Sequence, residues 1–442
     1  MIEAVRHAWN LPDLRKKILI TVLILAIYRL AAHVPVPGVD REALGLLLTG
    51  QTAASGLIGI LNMLSGGAVA NFSILAMGVY PYITAQIIIQ LLTPIIPKLT
   101  ELNKEGEAGR NKLNMYTYYL TIPMSALQAI GQIRLFSAGA LTGGYPIVPN
   151  FGFSGAYLLP SLTTIITMTA GTMFAIWLGE LITEQGIGNG LSIIIFGGIA
   201  SQMPSNVASL LADESNRWLY ITLFVALTAV TVFFIVVVQE GTRRIPVQYG
   251  KRVRGRRQYA GGSTHLPMKV NTAGMIPLIF AQSILTFPAV VAQFFVGVET
   301  QWVANLATSV SDLFGQATGW VYWVTYFLFV LGFTYFYTDV MVQQQNLPDM
   351  LQRQGGYVPG IRPGKPTEEY LNAVVRRITL AGALFLGIVA VLPGVIQLFG
   401  VKASVLVISS AGLLIVVGVV IDTMRQLEAQ LLMRHYEGFI KR

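Results

Sequence analysis

The residues that would carry catalytic chemistry are few in this sequence, and none has a catalytic spacing. The segment GIGNGLS (186–192) resembles the surroundings of a nucleophilic serine, but the apolar sequence around it offers Ser192 no base. No two histidines have the HExxH spacing, and no GxxxxGK[ST] phosphate loop is present. The histidines avoid the middles of the apolar stretches: His7, His33, His265 and His435. The sequence therefore predicts a protein that is not an enzyme, with 186–192 as a hinge or helix-start turn.

Ionisable side chains at membrane depth are costly and usually functional, so their positions separate an ion-coupled transporter from a passive channel. Arg29, Glu180 and Asp422 lie near the ends of apolar stretches, where snorkelling to the interface is the simpler interpretation. The chain contains no cysteine, which excludes disulfides, thiolate nucleophiles and cysteine-ligated metals. No cofactor and no metal is expected.

Long apolar segments must position whatever residues function here. Of the 442 residues, 54% are hydrophobic and 12% are charged, about half the charged content of a soluble domain. Ten segments are long and apolar enough to cross a hydrocarbon core of roughly 30 Å. The fifth is the weakest candidate, because it is short and glycine-rich unless it extends toward residue 211. The predicted fold class is an all-α polytopic membrane protein with ten transmembrane helices. The segments are 18–36, 73–96, 114–134, 157–178, 190–203, 217–238, 272–293, 317–338, 371–392 and 402–422.

The N-terminus has two interpretations. Basic residues at 15–17 followed by ILITVLILAIY resemble a secretory signal peptide. The preceding MIEAVRHAWNL instead spaces its apolar residues as an amphipathic, interface-lying helix, and no A-x-A cleavage site follows. We therefore predict a retained first span.

Basic residues indicate the orientation of the spans. Segments 1–17, 97–113, 179–189, 239–271, 339–377 and 423–442 hold 25 of the 30 Lys and Arg residues, whereas the alternate loops hold Arg41, Arg134, Arg217 and Lys402. Because cytoplasmic loops are enriched in positive charge, both termini are predicted to be cytoplasmic. The loop after the fifth span divides the chain into an N-terminal half (1–203) and a C-terminal half (204–442). Each half has an odd number of spans, so the halves are inverted five-helix repeats around a central path.

Helix breakers indicate a shaped interior. GLIGILNMLSGG (56–67) is apolar, yet as a helix it would reach only about 18 Å before its glycine pair. Pro81 interrupts the second span, and Pro277 and Pro288 interrupt the seventh. Proline kinks a membrane helix and frees carbonyl groups that neighbours must satisfy, so these spans either line a water-filled path or are merely kinked for packing.

Two predicted cytoplasmic loops are candidate contact surfaces. GTRRIPVQYGKRVRGRRQY (241–259) has seven basic residues and no acidic one, which fits either anionic lipid or a polyanionic partner such as the RNA of a large particle. Its IPVQYGKRV segment predicts a protruding hairpin. The second loop, RQGGYVPGIRPGKPTEEY (353–370), is either an ordered turn-rich loop that exposes Arg362 or a flexible linker.

Several stretches together resemble the SecY family, the central subunit of the protein-conducting channel of bacterial preprotein translocase. The similarity runs over nearly the whole chain. The matching stretches are SGGAVANFSILAMGVYPYITAQIIIQLLT (65–93), KEGEAGR (104–110), GELITEQGIGNGLSIIIF (179–196), RRIPVQYGKR and GRRQYAGGSTHLPMKVNTAGMIP (within 243–277), YVPGIRPGKPT (357–367) and SSAGLLIVVGVVID (409–422).

The resemblance implies site residues in four groups. A pore ring of aliphatic side chains would comprise Val79, Ile83, Ile195, Ile279 and Ile415, with Val79 standing where isoleucine is common. A plug helix would span 56–67, with Leu57, Ile58, Ile60, Leu61, Asn62, Leu64, Gly66 and Gly67. A lateral gate toward lipid would include Gln90, Asn271, Ser283 and Phe287. Contacts with the ribosome or the SecA motor would fall on Arg243, Arg244, Arg256, Arg257 and Arg362.

The resemblance also implies function and partners. The expected activity is passage of unfolded preproteins across the plasma (inner) membrane, with release of transmembrane segments laterally into lipid. SecE would be an essential partner and SecG an accessory one, while the SecA motor ATPase or the ribosome would supply energy. Signal peptides and nascent chains would be the substrates. The alternative is an inverted-repeat secondary transporter of small solutes, which requires a buried ionisable or substrate-coordinating group.

Overall fold

The computed structural model is dominated by helices. It describes residues 6, 9–40, 65, 67–69, 71–137, 148–149, 151–152, 155–211, 217–249, 252–254, 257–259, 262–293, 295, 300–315, 319–345, 347–398 and 410–440. Within these ranges the helices are α1 (Pro12–Ala31), α2 (Tyr80–Leu92), α3 (Pro97–Lys104), α4 (Glu107–Ser137), α5 (Leu158–Gln185), α6 (Gly190–Leu211), α7 (Arg217–Glu240), α8 (Ile276–Gln293), α9 (Gln301–Gly315), α10 (Trp320–Gln345), α11 (Leu347–Gln354), α12 (Lys365–Leu398) and α13 (Ser410–Ile440).

A helix overlaps each of the ten predicted spans, but not every helix is long and apolar enough to cross a bilayer alone. Four of the described helices meet that criterion, namely α5, α7, α10 and α12. A fifth is counted if α2 and α3, which are bent by 100° at their junction, form one broken span. The ten-span count thus stays a prediction. Helix α6 continues through Pro204 to Leu211, past the predicted boundary between the halves at 203.

The prediction of a helix from residue 73 is wrong, because α2 begins only at Tyr80. The segment before Tyr80 pairs instead with the residues that follow α1: the Val36 amide donates to the Phe72 carbonyl (3.0 Å), and the Ile74 amide donates to the Val34 carbonyl (2.9 Å). Such bonds satisfy the backbone where no helix does. Gly171 on α5 lies against this segment so closely that a Cβ there would stand 1.9 Å from the Ile74 carbonyl oxygen.

Two of the three prolines do not interrupt a span. Pro81 is the second residue of α2, and Pro277 is the second residue of α8. Proline is favoured in the first helical turn because its missing N–H is not needed there and its φ is already helical. Only Pro288 lies inside α8, so the predicted kinks at Pro81 and Pro277 are helix starts.

The two halves meet along two lines of contact. Helix α8 packs on α9 and α10 of its own half and on α2 and α4 of the first half. On the opposite side, α6 packs on α7 and α13. The largest buried apolar cluster lies between these contacts and takes residues from helices of both halves. The centre of the molecule is therefore shared by the halves.

Outside the bundle lies a module that we call the sheet module. Strands β1 (Thr242–Tyr249), β4 (Ser263–Lys269) and β5 (Gly356–Tyr357) form an antiparallel sheet in the order β4-β1-β5, and β2 (Arg252–Arg254) pairs with β3 (Arg257–Tyr259). The predicted segment 245–253 is extended over most of its length, but β1 pairs with β4 and β2 pairs with β3, so the segment is not a hairpin by itself. Ile245 and Val247 point into a cluster that includes Leu351 of α11 and Leu371 of α12. The second loop is ordered, and through β5 it joins the first loop in one folded unit.

Candidate functional site

The five predicted ring residues lie in a single buried cluster at the centre of the molecule. They come from the start and first turn of α2, from α6, α8 and α13, and therefore from both halves. Val79, Ile83, Ile195, Ile279 and Ile415 are 2, 8, 6, 7 and 1% exposed. The amide of Ile83 donates to the Val79 carbonyl (3.1 Å), which places these two side chains one turn apart on the same face. The cluster therefore contains branched aliphatic side chains from four helices that are distant in the sequence.

The buried polar side chains of this interior carry hydroxyl and amide groups. Among the described residues, no buried side chain is an Asp, Glu, Lys, Arg or His; the buried polar residues are Ser, Thr, Asn and Gln. An ion entering such an interior would lose hydration without finding an opposite charge, which costs several kcal/mol at least. The centre therefore suits a barrier to ions better than a coupling site for them.

A group of polar contacts joins α2 to α8 beside the ring. The Tyr80 hydroxyl donates to the Ser283 carbonyl (2.8 Å) and shares a hydrogen bond with the Thr286 hydroxyl (2.5 Å). All three residues are buried. Thr286 also donates within α8 to the Gln282 carbonyl (3.0 Å). Tyr80 therefore connects the two halves of the protein through a specific contact.

The same contacts extend to α4. The Gln128 amide donates to the Thr84 hydroxyl (3.3 Å), and Thr84 donates back to the Tyr80 carbonyl (3.1 Å). The Oε1 atom of Gln128 and the hydroxyl of Ser283 are buried without a hydrogen-bond partner. We call this group the seam: Tyr80, Thr84, Gln128, Ser283 and Thr286. Sequence reasoning named only Ser283, although Tyr80 and Thr84 have the same i, i+4 spacing as Val79 and Ile83.

The other predicted gate residues occupy different surroundings. Asn271 is 5% exposed, precedes α8 and donates to the Gly274 carbonyl (3.0 Å), so its amide shapes the turn into α8 rather than standing within the span. Gln90 lies near the end of α2, and its Oε1 atom has no hydrogen-bond partner. Phe287 is 38% exposed on α8. The structure therefore brings Ser283 alone of the four into the seam.

A cavity of about 960 Å³ opens at the ends of α2, α4, α10 and α12. Its lining is mostly polar and includes Gln90, Asn103, Arg110, Asp339 and Glu368. This volume lies at the upper end of the range of small-ligand sites, which occupy about 300–1,000 Å³. Lys104 and Arg110, two basic residues of the predicted cytoplasmic segment 97–113, also line it.

Glu180 was interpreted as a snorkelling side chain, but it has a specific partner. The Tyr118 hydroxyl of α4 donates to its carboxylate. Tyr118 in turn stacks on Tyr82 of α2, with ring centroids 5.6 Å apart and an interplanar angle of 30°. Glu180 therefore holds α5, α4 and α2 together through two aromatic rings.

The predicted plug falls almost wholly outside the described residues, including Leu57, Ile58, Ile60, Leu61, Asn62, Leu64 and Gly66. Gly67 is described: its φ of +87° is left-handed, and it lies beside the side chains of Gln202 and Arg29. A left-handed turn at this position is the conformation that glycine adopts most readily.

The predicted contact arginines are distributed over the sheet module. Arg243 and Arg244 are exposed on β1, and Arg257 lies on β3. Arg362 is exposed after β5, where its carbonyl accepts a hydrogen bond from the Thr367 hydroxyl (2.8 Å). Arg256 lies outside the described residues. The three-stranded sheet joins β1 to β5, so Arg243, Arg244 and the loop with Arg362 belong to one folded unit.

The overall arrangement is that of protein-conducting channels. A solved structure described as a protein-conducting channel aligns with a TM-score of 0.59 over 94% of this chain and 92% of that chain, at 16% identity. Sec61 in a canine ribosome–channel complex gives 0.58 with the same coverage and identity. The yeast Ssh1 complex bound to the yeast 80S ribosome gives 0.61 over 96% and 89% of the two chains, at 16% identity.

Sequence comparison defines the family more closely. A SecY family model matches residues 73–424. Proteins described as protein translocase subunit SecY from Halalkalibacterium halodurans and Streptomyces scabiei are 43% and 42% identical, over 100% of this chain and of each relative. The counterpart from Thermotoga maritima is 40% identical over 100% of this chain and 98% of its own. This chain belongs to the SecY family, whose members are protein-translocation channels and not enzymes.

Proposed function

We propose that this protein forms the channel through which a translocase passes unfolded polypeptides across the plasma membrane. The observation that carries the proposal is the meeting of Val79, Ile83, Ile195, Ile279 and Ile415 in one buried cluster drawn from both halves. Full-length relatives described as protein translocase subunit SecY support the same assignment.

The ring would act as a dewetting gate. Branched aliphatic side chains present apolar surface and have restricted χ1 angles, so a narrow ring of them excludes water and ions without binding them. They also offer no hydrogen bond to a passing chain, and therefore impose no sequence preference on it. In the resting state, the predicted plug (56–67) would block the ring from the outer side and swing away about its glycine pair.

The seam would be the gate through which apolar segments reach lipid. Tyr80 and Ser283 join α2 to α8 across the contact between the halves. Separation of these two helices requires the loss of a few hydrogen bonds and no buried ion pair, because the seam contains only neutral groups. Such a contact is weak enough for an apolar signal segment to replace with its own packing.

Energy would come from a partner, because the sequence has no phosphate-binding loop. The sheet module is the proposed docking surface for the ribosome or the SecA motor, with Arg243, Arg244, Arg256, Arg257 and Arg362 as contact residues. Two of the solved structures that share this fold are described as ribosome-associated complexes, which supports a ribosome contact. SecE and SecG are the proposed membrane partners.

We further propose ten spans with both termini in the cytoplasm. The supporting observation is the concentration of 25 of the 30 basic residues on alternate segments. Reporter fusions at 97–113, 239–271 and 339–377 should all report the cytoplasm. A reporter at 239–271 found outside would refute this topology.

Reconstitution tests the function directly. Proteoliposomes that contain this chain with SecE should translocate a signal-bearing precursor only when SecA and ATP are supplied. A secondary transporter would instead move a small solute down an ion gradient without SecA. Absence of precursor translocation, in vesicles whose protein is folded and correctly oriented, would refute the proposal.

A further inference from the structure

Helix α9 (Gln301–Gly315) is a helix that the span prediction did not contain. It lies between the seventh and eighth predicted spans, and its 15 residues reach about 22 Å, which is too short to cross the bilayer. One side of it packs on the bundle: Ala307 is 4% exposed, and Phe314 contacts both central apolar clusters. Helix α9 packs closely along α8 and touches α10.

The surface of α9 that does not face the bundle is divided into two parts. Trp302, Leu306 and Leu313 are 69, 58 and 40% exposed, and at 3.6 residues per turn they fall within about 40° of one another. We call these three residues the apolar stripe. Four exposed polar residues occupy the neighbouring sector, about 60–120° from Trp302, and Ser309 lies at the boundary, about 20° from Trp302; the four are Gln301, Asn305, Thr308 and Asp312. A helix surrounded by water alone would not need such a division.

We propose that α9 lies in the lipid interface of the outer leaflet, with the apolar stripe against acyl chains and the polar sector toward water. The leaflet rests on the proposed topology, which places the connection between α8 and α10 outside. An amphipathic helix with tryptophan and leucine on one face and polar residues on another is the form that lies in this interface.

The occupant of the stripe is argued from the helix that follows. Helix α10 begins at Trp320, and Trp320, Val324 and Leu328 are 75, 48 and 58% exposed at four-residue spacing. Because α10 is apolar and long enough to span, this exposed row is its lipid-facing surface. Tryptophan is enriched at the membrane–water interface, so Trp320 places the start of α10 at that interface. Helix α9 comes just before Trp320 in the chain and therefore lies at a similar depth.

This position gives α9 a role in gating. Helix α9 packs on α8, the helix that carries Ile279 and Ser283. Contact of the apolar stripe with lipid would therefore anchor α8 through α9. Outward movement of α8 would then carry α9 along the interface rather than through it. Lipid contact would hold the depth of α8 while leaving it free to move sideways.

The experiment uses the absence of cysteine from the chain. Single cysteines are introduced as Leu306→Cys and Leu313→Cys on the stripe and as Asn305→Cys and Thr308→Cys in the polar sector. Each variant is spin-labelled and reconstituted in vesicles of phosphatidylethanolamine and phosphatidylglycerol. Collision with oxygen, which concentrates in lipid, is compared with collision with a water-soluble nickel chelate. Val230→Cys, at an exposed position of α7, is the reference for a lipid-facing span.

The two stripe labels should collide more with oxygen, as the Val230→Cys label does, and the two polar-sector labels should collide more with nickel. If all four α9 labels prefer nickel while Val230→Cys prefers oxygen, α9 lies in water, and this proposal fails without affecting the channel function. If the stripe labels meet neither reagent, a protein partner or a second copy covers the stripe, which also overturns the proposal.

The leaflet is tested with the same variants. Thr308→Cys should react with a membrane-impermeant maleimide in right-side-out vesicles and not in inverted ones. Reaction only in inverted vesicles would overturn the assignment to the outer leaflet.

Discussion

Tyr80→Phe is the sharpest test of the proposed gate, because it removes one oxygen atom from the contact between the halves. The lost hydroxyl donates to the Ser283 carbonyl and bonds the Thr286 hydroxyl at 2.8 and 2.5 Å. Neither partner is left without a bond, because the single hydroxyl hydrogen of Thr286 lies within reach of the Gln282 (3.0 Å) and Ser283 (3.1 Å) carbonyls. The substitution therefore removes only the bonds between α2 and α8.

The magnitude follows from this accounting. Hydrogen bonds between helices in a membrane contribute about 0.6 kcal/mol on average and about 1.7 kcal/mol at most. Because no buried group is orphaned, no further desolvation cost is added to that range. Because two such bonds are lost, about 1.2–3.4 kcal/mol in all, the equilibrium between closed and open channel should shift toward open by about 7- to 300-fold, since roughly 1.4 kcal/mol corresponds to a factor of ten.

Planar-bilayer recordings of resting conductance, together with translocation of a precursor that has a defective signal sequence, measure this shift. Tyr322→Phe is the matched control: the Gln282 amide donates to the Tyr322 hydroxyl (3.2 Å), and this bond joins α8 to α10 within one half. Tyr80→Phe should raise both signals, and Tyr322→Phe should leave them nearly unchanged. Equal effects of the two substitutions, or a Tyr80→Phe channel that stays closed, would refute the assignment of the seam as a gate.

Three further substitutions test other parts of the structure. Gly171→Ala places a Cβ 1.9 Å from the Ile74 carbonyl oxygen and should cost about 3 kcal/mol of stability in a thermal unfolding assay. Gly332→Ala is the control, because a Cβ there meets nothing within 4 Å and should be tolerated. Similar losses of stability in the two variants would disprove the close approach. Ile279→Asn should wet the ring and raise resting conductance about fivefold or more, since an unsatisfied buried amide costs about 1–3 kcal/mol; unchanged conductance with less folded protein would place Ile279 in a packed core. Arg362→Glu should weaken SecA-driven translocation in a salt-dependent way, with screening over about 8 Å at 0.15 M ionic strength, and full activity would argue against a contact role.

The sequence predicted features that depend on local pattern. Long apolar segments predicted where helices lie, and the segment IPVQYGKRV (245–253) predicted extended structure where β1 lies. Basic residues in the loops predict the orientation of the spans. The apolar stripe of α9 was also readable from the sequence, since 301–315 has a helical apolar period. It was missed because only segments long enough to span were sought.

Features that depend on contacts distant in the chain could not be predicted. The sequence near residue 73 does not predict the backbone hydrogen bonds that Phe72 and Ile74 form with Val36 and Val34. Because of this pairing, the residues before Tyr80 are not helical. A helix that began at residue 73 would contain Pro81 as a kink, whereas a helix that begins at Tyr80 has Pro81 in its first turn. The seam was missed for the same reason, because Tyr80 and Thr286 are separated by 206 positions.

The ring and the seam share helix faces, and this links the two openings that a translocation channel needs. On α8, Ile279, Ser283 and Thr286 have i, i+4 and i+7 spacing, so they lie on one face. On α2, Val79 and Tyr80 are adjacent, and the first belongs to the ring while the second belongs to the seam. Rotation or outward movement of α8 therefore cannot release the Tyr80 contact without also moving Ile279 out of the ring. In the proposed mechanism, a pore that widens for a polypeptide and a side that opens to lipid are therefore two consequences of the same helix displacement.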